Sequence, residues 1–251
     1  MDFVKEYTES PYREIPSELL AAFTRNNTIP ILNWYLDGTN DLEKKIWDDE
    51  YILDFMKQFT FENVYTNNIN EPYCGSSCVL LKSFEKYDIK NKRVAVIGSI
   101  TPWIEAILLN LKNQVTTVEY NVPDVNTTLL SCTSYWDFEK TSGLYDCIVT
   151  FSSIEHSGLG RYGDPLDPDG DIKCMDVIHK NLVENGTLIW GAPCGHDALV
   201  WNAHRIYGHI RLPILFKNFQ EMDWMGYNKD DILSGPLQDN SVNPVIVLKK
   251  I

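Results

Sequence analysis

From Arg93 onward the chain alternates short β-branched runs with helix-length stretches, and this rhythm restricts the fold more than any other feature. Residues 94–97 form a β-branched run that ends at Gly98. Thr101 then stands as a cap and Pro102 at the first position of a helix whose residues 103–111 are apolar on almost every face, so that helix must be buried. A second strand over 115–118 closes at Glu119, a weak third lies at 129–131, and an apolar fourth runs over 145–151. Ile172, Met175, Ile178 and Leu182 make a helical stripe that predicts a stop at Asn185-Gly186, before a fifth strand over 187–190. The tail offers a helix near 212–219, strand character near 224–227 and a last strand over 245–248. Sustained strand–helix alternation of this kind predicts an α/β fold with a doubly wound, mostly parallel sheet.

Upstream the signals are of another kind. The first 40 residues, with Pro11, Pro16 and Pro30, read as an irregular arm or lid. Residues 41–59 predict an amphipathic helix, with Asn40 as cap, Glu43 three residues later and a stripe of Ile46, Leu53 and Met56. Leu80, Phe84 and Tyr87 predict a second helix. The division expected is therefore an N-terminal arm with helices packing on the core over 1–90, and the sheet domain over 91–251.

Composition narrows the function. A net charge of −13, with no basic run longer than two residues, argues against a nucleic-acid partner. No apolar stretch reaches the roughly 20 residues that span a bilayer, and the acidic start does not read as a secretory leader, so a cytoplasmic protein is expected. The six cysteines are scattered, as reduced thiols are, and the Cys74/Cys78 pair lacks partners for zinc. The sequons at Asn26, Asn126 and Asn185 read as chance without a leader.

Chemistry concentrates in three places. Gly98 and Ser99 after the first strand, with Glu119 about 20 residues on, have the layout of a site for an adenosine ribose, the acid accepting from its hydroxyls. The G-x-G-x-x-G fingerprint is absent, which disfavours a pyrophosphate and hence NAD. Beyond the fourth strand, Ser152, Glu155, His156, Arg161 and Asp164 crowd into a glycine-rich segment where a parallel strand delivers ligands. Here a base–acid pair and a loop held by its own polar groups are both open readings. Asp164, Asp167, Asp169 and Asp171 lack the spacing of a calcium loop, so no metal is expected, and Asp171 is placed to cap the following helix. Third, Asn202, His204, Arg205 and Tyr207 combine polar and aromatic groups that suit a sugar, or else pack as an ordered loop.

With these residues in view, the chain resembles class I S-adenosylmethionine-dependent methyltransferases over about residues 90–195. VAVIGS with Glu119, YDCIVTFSSIEH and LVENGTLIWGAP carry the likeness. SSIEHSGLGRYGDPLDPDGD and NAHRIYG are similar, more closely, to an uncharacterised methyltransferase-like family of nematodes and bacteria catalogued as a domain of unknown function. The resemblance implies a seven-stranded sheet with an antiparallel last strand and S-adenosylmethionine as cofactor. Gly98, Ser99, Glu119, Ser152 and Glu155 would contact that cofactor. His156 or His204 would serve as base, and Arg161, Asp164, Asn202, Arg205 and Tyr207 would contact a small acceptor. The bacterial relatives' association with surface-polysaccharide genes points to a sugar hydroxyl as that acceptor. The competing class is a degenerate member that binds without catalysing, as an accessory in glycan assembly; a nucleotide-dependent oxidoreductase is opposed by the missing glycines.

Overall fold

The computed structural model describes residues 11–39, 46–235 and 242–251. Seven strands make the central sheet: β1 (Arg93–Ile97), β2 (Gln114–Glu119), β3 (Ser131–Ser134), β4 (Tyr145–Phe151), β5 (Leu182–Gly191), β6 (Phe219–Met225) and β7 (Val245–Lys250). Their order is β6-β7-β5-β4-β1-β2-β3. β1 to β5 pair in parallel, and β7 lies antiparallel to both β5 and β6. This is a doubly wound, mostly parallel seven-stranded sheet with an antiparallel last strand, as the sequence leads one to expect.

Strand periodicity divides the core into two layers. Val94 and Val96 face one side of β1 while Ala95 and Ile97 face the other. Helices Asp49–Gln58, Ser76–Lys86 and Trp103–Asn110 cover the first side through Ile52, Leu80, Leu81, Phe84 and Ile107. Gly170–Asn181 covers the second, burying Met175 and Ile178. Each fully buried aliphatic side chain contributes roughly 1.5–3 kcal/mol, so the loops at the carboxyl edge spring from a rigid base.

Local pattern and structure part in four places. The described part of the arm carries regular structure: Ser17–Phe23 is a helix, and Ile31–Trp34 pairs in parallel with Ala198–Asn202, which in turn pairs with His204–Ile206. These pieces are too short to carry a period, and a third apolar cluster of Leu19, Phe23, Leu159, Leu166 and Trp201 fixes them from a distance. The helix expected over 41–59 begins at Asp49, where Asp48 accepts from the Tyr51 amide at 2.8 Å; Ile46–Asp48 is a strand beside Asp124–Asn126, and Asn40 and Glu43 lie outside the described residues. Asn185-Gly186 does not end a helix. Helix Gly170–Asn181 stops earlier, and Asn185, at φ 61°, forms a bulge inside β5 where the pairing jumps from Tyr145–Leu182 to Cys147–Thr187. In the tail, the helix is one turn, Leu212–Leu215, and β6 begins at Phe219. No helix of the described residues is long and apolar enough to cross a membrane.

Candidate functional site

The carboxyl ends of β1, β2 and β4 open on a cavity of about 390 Å³, within the range of small-molecule sites. The turn after β1 forms one wall. Gly98 has φ +76°, and a Cβ there would collide with the Ser153 side chain, so a glycine is needed for β1 and β4 to approach. The Ser99 amide donates to Glu119 Oε1, and the Tyr120 amide donates to Oε2 at 3.2 Å. Burial raises the Glu119 carboxyl, with the two amides opposing the rise. A carboxylate has about four lone-pair sites, so each oxygen keeps one free for a further donor.

Beneath this turn lies a second acid that sequence reading missed. Glu105, fully buried on helix Trp103–Asn110, meets the Thr117 hydroxyl at 2.8 Å and the Ser99 hydroxyl at 2.9 Å. Burial pushes its carboxyl up to about 7. It was illegible because a single Glu in an apolar helix carries no spacing signal. Two aromatic residues were missed as well: Tyr120 and Trp136 line the cavity, their ring centroids 5.3 Å apart, and both are exposed. The signal available was position, since Tyr120 follows the acid that closes β2 and Trp136 follows β3.

The opposite wall is the end of β4. Ser152, at φ 50°, lines the cavity and accepts from the Tyr73 hydroxyl at 2.8 Å. His156 also lines it, with Nδ1 2.6 Å from the Ala203 carbonyl and Nε2 3.6 Å from Glu155 Oε1. A carbonyl only accepts, so Nδ1 bears the proton and Nε2 a lone pair. Burial, then the Arg161 charge, pushes His156 down to about 3. Glu155 is fully buried and does not line the cavity; neither carboxyl oxygen meets a partner in hydrogen-bond geometry among the described residues, and burial raises it to about 7 despite the nearby Ser152 and Ser153. His204, lowered by burial and Arg161, stands 6.4 Å from the His156 ring, outside the cavity lining. Arg161 also lies outside it, stacked 4.8 Å over Tyr162 and donating to the Ala203 carbonyl at 3.3 Å.

Several residues expected to meet substrate are turned inward instead. Asn202 is buried and accepts from the Leu36 amide at 2.8 Å. Arg205 is buried and donates to the carbonyls of Glu155, Ser157, Asp167 and Pro168 at 2.7–3.4 Å. The Tyr207 hydroxyl donates to Asp171 at 3.1 Å. Asp171 is also gripped by Arg211; against burial, Arg205 and Arg211 hold its carboxyl below the usual range. It does not cap the helix, which starts at Gly170 after Asp169. Asp164 does line the cavity, yet its oxygens accept from the amides of Gly158, Gly160 and Tyr162 at 2.7–3.3 Å. Asp167 pairs with Lys173 at 2.5 Å and Asp169 with Arg25 at 2.6 Å. Among the described residues, no group of three or more His, Cys, Asp or Glu is placed to hold a metal ion.

A family model described as "Caenorhabditis protein of unknown function, DUF268" matches residues 91–243. No curated protein matches the chain. Among solved structures, the Burkholderia thailandensis 1,6-didemethyltoxoflavin-N1-methyltransferase, with bound 1,6-didemethyltoxoflavin and S-adenosylhomocysteine, superposes with a TM-score of 0.48 at 13% identity, over 79% of this chain and 86% of that one. A TehB-like SAM-dependent methyltransferase from Corynebacterium glutamicum gives 0.45 at 13%, over 80% and 99%. The N-methyltransferase NodS from Bradyrhizobium japonicum, in complex with S-adenosylhomocysteine, gives 0.44 at 12%, over 80% and 99%.

Proposed function

With that match spanning more than half of its length, the chain belongs to the family described as Caenorhabditis protein of unknown function, DUF268, and we propose that it is an S-adenosylmethionine-dependent methyltransferase acting on a small acceptor. The observation that carries this is Glu119, which lines the cavity at the end of β2 and accepts only one amide on each oxygen, from Ser99 and Tyr120. Two hydroxyls of a ribose suit that pair of acceptors. Tyr120 and Trp136 supply apolar ring faces for a base. Ile100 and Trp103 stand where a dinucleotide fingerprint has its second and third glycines, and Ile100 projects into the cavity. A branched side chain in place of the second glycine disfavours close approach of a pyrophosphate to the backbone and is compatible with a nucleoside that lacks one.

When bound, S-adenosylmethionine supplies an electrophilic methyl on a sulfonium. The protein's part is to align an acceptor with it and to receive a proton. We assign proton uptake to the His156–Glu155 pair: His156 reaches the cavity, and an ionised Glu155 3.6 Å from Nε2 would stabilise the imidazolium. A hydroxyl acceptor, including that of a sugar, fits this assignment, though not through Asn202, Arg205 or Tyr207. A binding protein without catalysis is the second reading, favoured by the low basicity of both histidines.

Calorimetric titration with S-adenosylmethionine and S-adenosylhomocysteine tests the cofactor, and saturable one-to-one binding is expected. No heat from either ligand with folded protein would refute the proposal. With an acceptor found by screening labelled methyl transfer, His156→Ala should lower kcat by about 10²- to 10⁴-fold and His204→Ala act mainly on KM. Binding with no transfer to any acceptor class would favour the second reading.

A further inference from the structure

We propose that Glu105 is a positioning residue: as an un-ionised acid it ties the turn after β1 to β2 and holds the Ser99 amide against Glu119, in place of a glycine-rich loop. The inference rests on the reading that this cavity takes S-adenosylmethionine.

The Ser99 hydroxyl oxygen lies 2.9 Å from the Thr101 carbonyl and 2.9 Å from Glu105 Oε2. A hydroxyl has one hydrogen, and a carbonyl can only accept. If Ser99 donates to Thr101, the contact with Glu105 needs its hydrogen from the carboxyl. If Ser99 donates to Glu105 instead, two bare oxygens face each other across 2.9 Å. The Thr101 carbonyl also accepts from the Trp103 amide at 2.9 Å and Thr117 donates to Glu105 Oε1 at 2.8 Å, so an ionised Glu105 leaves the Ser99–Thr101 contact as bare oxygens, whereas a protonated one turns both Ser99 contacts into hydrogen bonds. The side chain is completely buried, so no solvent completes the set for an ionised form.

The charged and titratable neighbours favour the same state. Burial, against the hydrogen bonds from Thr117 and Ser99, raises the Glu105 carboxyl to about 7, and the Glu119 charge at the end of β2 adds a smaller push the same way. From β3, the Cys132 thiol, pushed up to about 12 by burial and by Glu105, adds no cation. Below neutrality the acid donates to Ser99. As pH rises through neutrality it ionises, loses that donation and repels Glu119, and the amide that braces Glu119 is released with the turn.

The test compares wild type with E105Q and E105A. E105Q presents a donor and an acceptor with no titrating proton; its spare amide hydrogen costs stability, which urea unfolding reads separately. Wild-type affinity for S-adenosylhomocysteine is expected to fall about tenfold as pH rises from about 6 to about 9, the equivalent of one hydrogen bond. E105Q should bind with no step near neutrality, and E105A weakly throughout. Independently of any ligand, the infrared difference between wild type and E105Q at about pH 6 should show a protonated carboxylic C=O band in wild type. Lack of that band, or an E105Q variant that keeps the wild-type pH step, overturns the proposal. A wild type that binds no S-adenosylhomocysteine at any pH refutes the methyltransferase reading and the positioning role with it, while the infrared band still decides whether Glu105 holds a proton.

Discussion

The two walls of the cavity use similar residue types for different ends. On the β1–β2 wall there are few polar groups, and their hydrogen-bonding capacity is left partly open: Glu119 accepts one amide per oxygen and faces empty volume. Beyond β4 the polar groups are dense and largely saturate one another. Asp164 is filled by three loop amides, Asp171 by two arginines and a tyrosine, and Arg205 by four carbonyls. Density of functional side chains is therefore a poor guide to a binding surface. Spare hydrogen-bonding capacity facing a cavity is a better one.

The largest expected effect tests the saturated wall. Asp171→Ala removes the only carboxylate held by both Arg205 and Arg211 among the described residues, leaving buried Arg205 without a counter-charge and buried Arg211 with Asp169 alone, at 3.9 Å. Breaking a buried pair from one side costs about 3–5 kcal/mol, and urea unfolding should show a loss of that size. S-adenosylhomocysteine affinity of the molecules that remain folded should hardly change. A stable variant with lost affinity would mean that this wall binds ligand after all, and the contrast between the walls would collapse.

A smaller effect tests the open wall. Glu119→Ala should weaken S-adenosylhomocysteine binding by about 1.5–3 kcal/mol, the range for hydrogen bonds to a charged group, with little change in urea midpoint. Unaltered affinity in a folded variant would remove Glu119 from the site.

This contrast also explains what was legible in the sequence. The sheet could be read because each parallel strand is a continuous apolar run and each covering helix carries its own period; β1, β2, β4 and helix Trp103–Asn110 all follow from local pattern. Gly98 and Glu119 could be placed because both end strands, and strand ends fix position. The fate of Asn202, Arg205 and Tyr207 could not, since it depends on partners such as Leu36, Pro168 and Asp171 that lie 36 to 166 residues away. The strand Ile31–Trp34 was hidden for the same reason: its ladder is built with Ala198–Asn202.

The smallest effect per group sharpens the comparison by placing both walls on one pH axis. Glu105 and Glu155 are raised from the ordinary 4.5 to about 7, so between those values the folded state binds protons that the unfolded state does not. Their contribution is fully present below about pH 4.5 and is lost as pH rises through 7. His156 has the opposite sign: lowered from 6.5 to about 3, it is neutral when folded and protonated when unfolded, so its contribution is lost as pH falls below 6.5. Between about pH 4.5 and 6.5, Glu155 and His156 on the β4 wall offset each other, and Glu105 is left opposed by His204, which burial and Arg161 also lower. Stability should then rise on acidification by up to about 1.4 kcal/mol per pH unit, with Glu119 and Asp164, raised by the same burial, acting in the same direction. Urea midpoints measured across this window should increase toward pH 5 in wild type, increase less in E105Q, and increase more steeply in His156→Gln. Wild-type midpoints that fall steadily from pH 7 to pH 5 would show that the buried acids are already ionised in the folded protein, and the β1–β2 wall would then carry its charge openly on both Glu105 and Glu119.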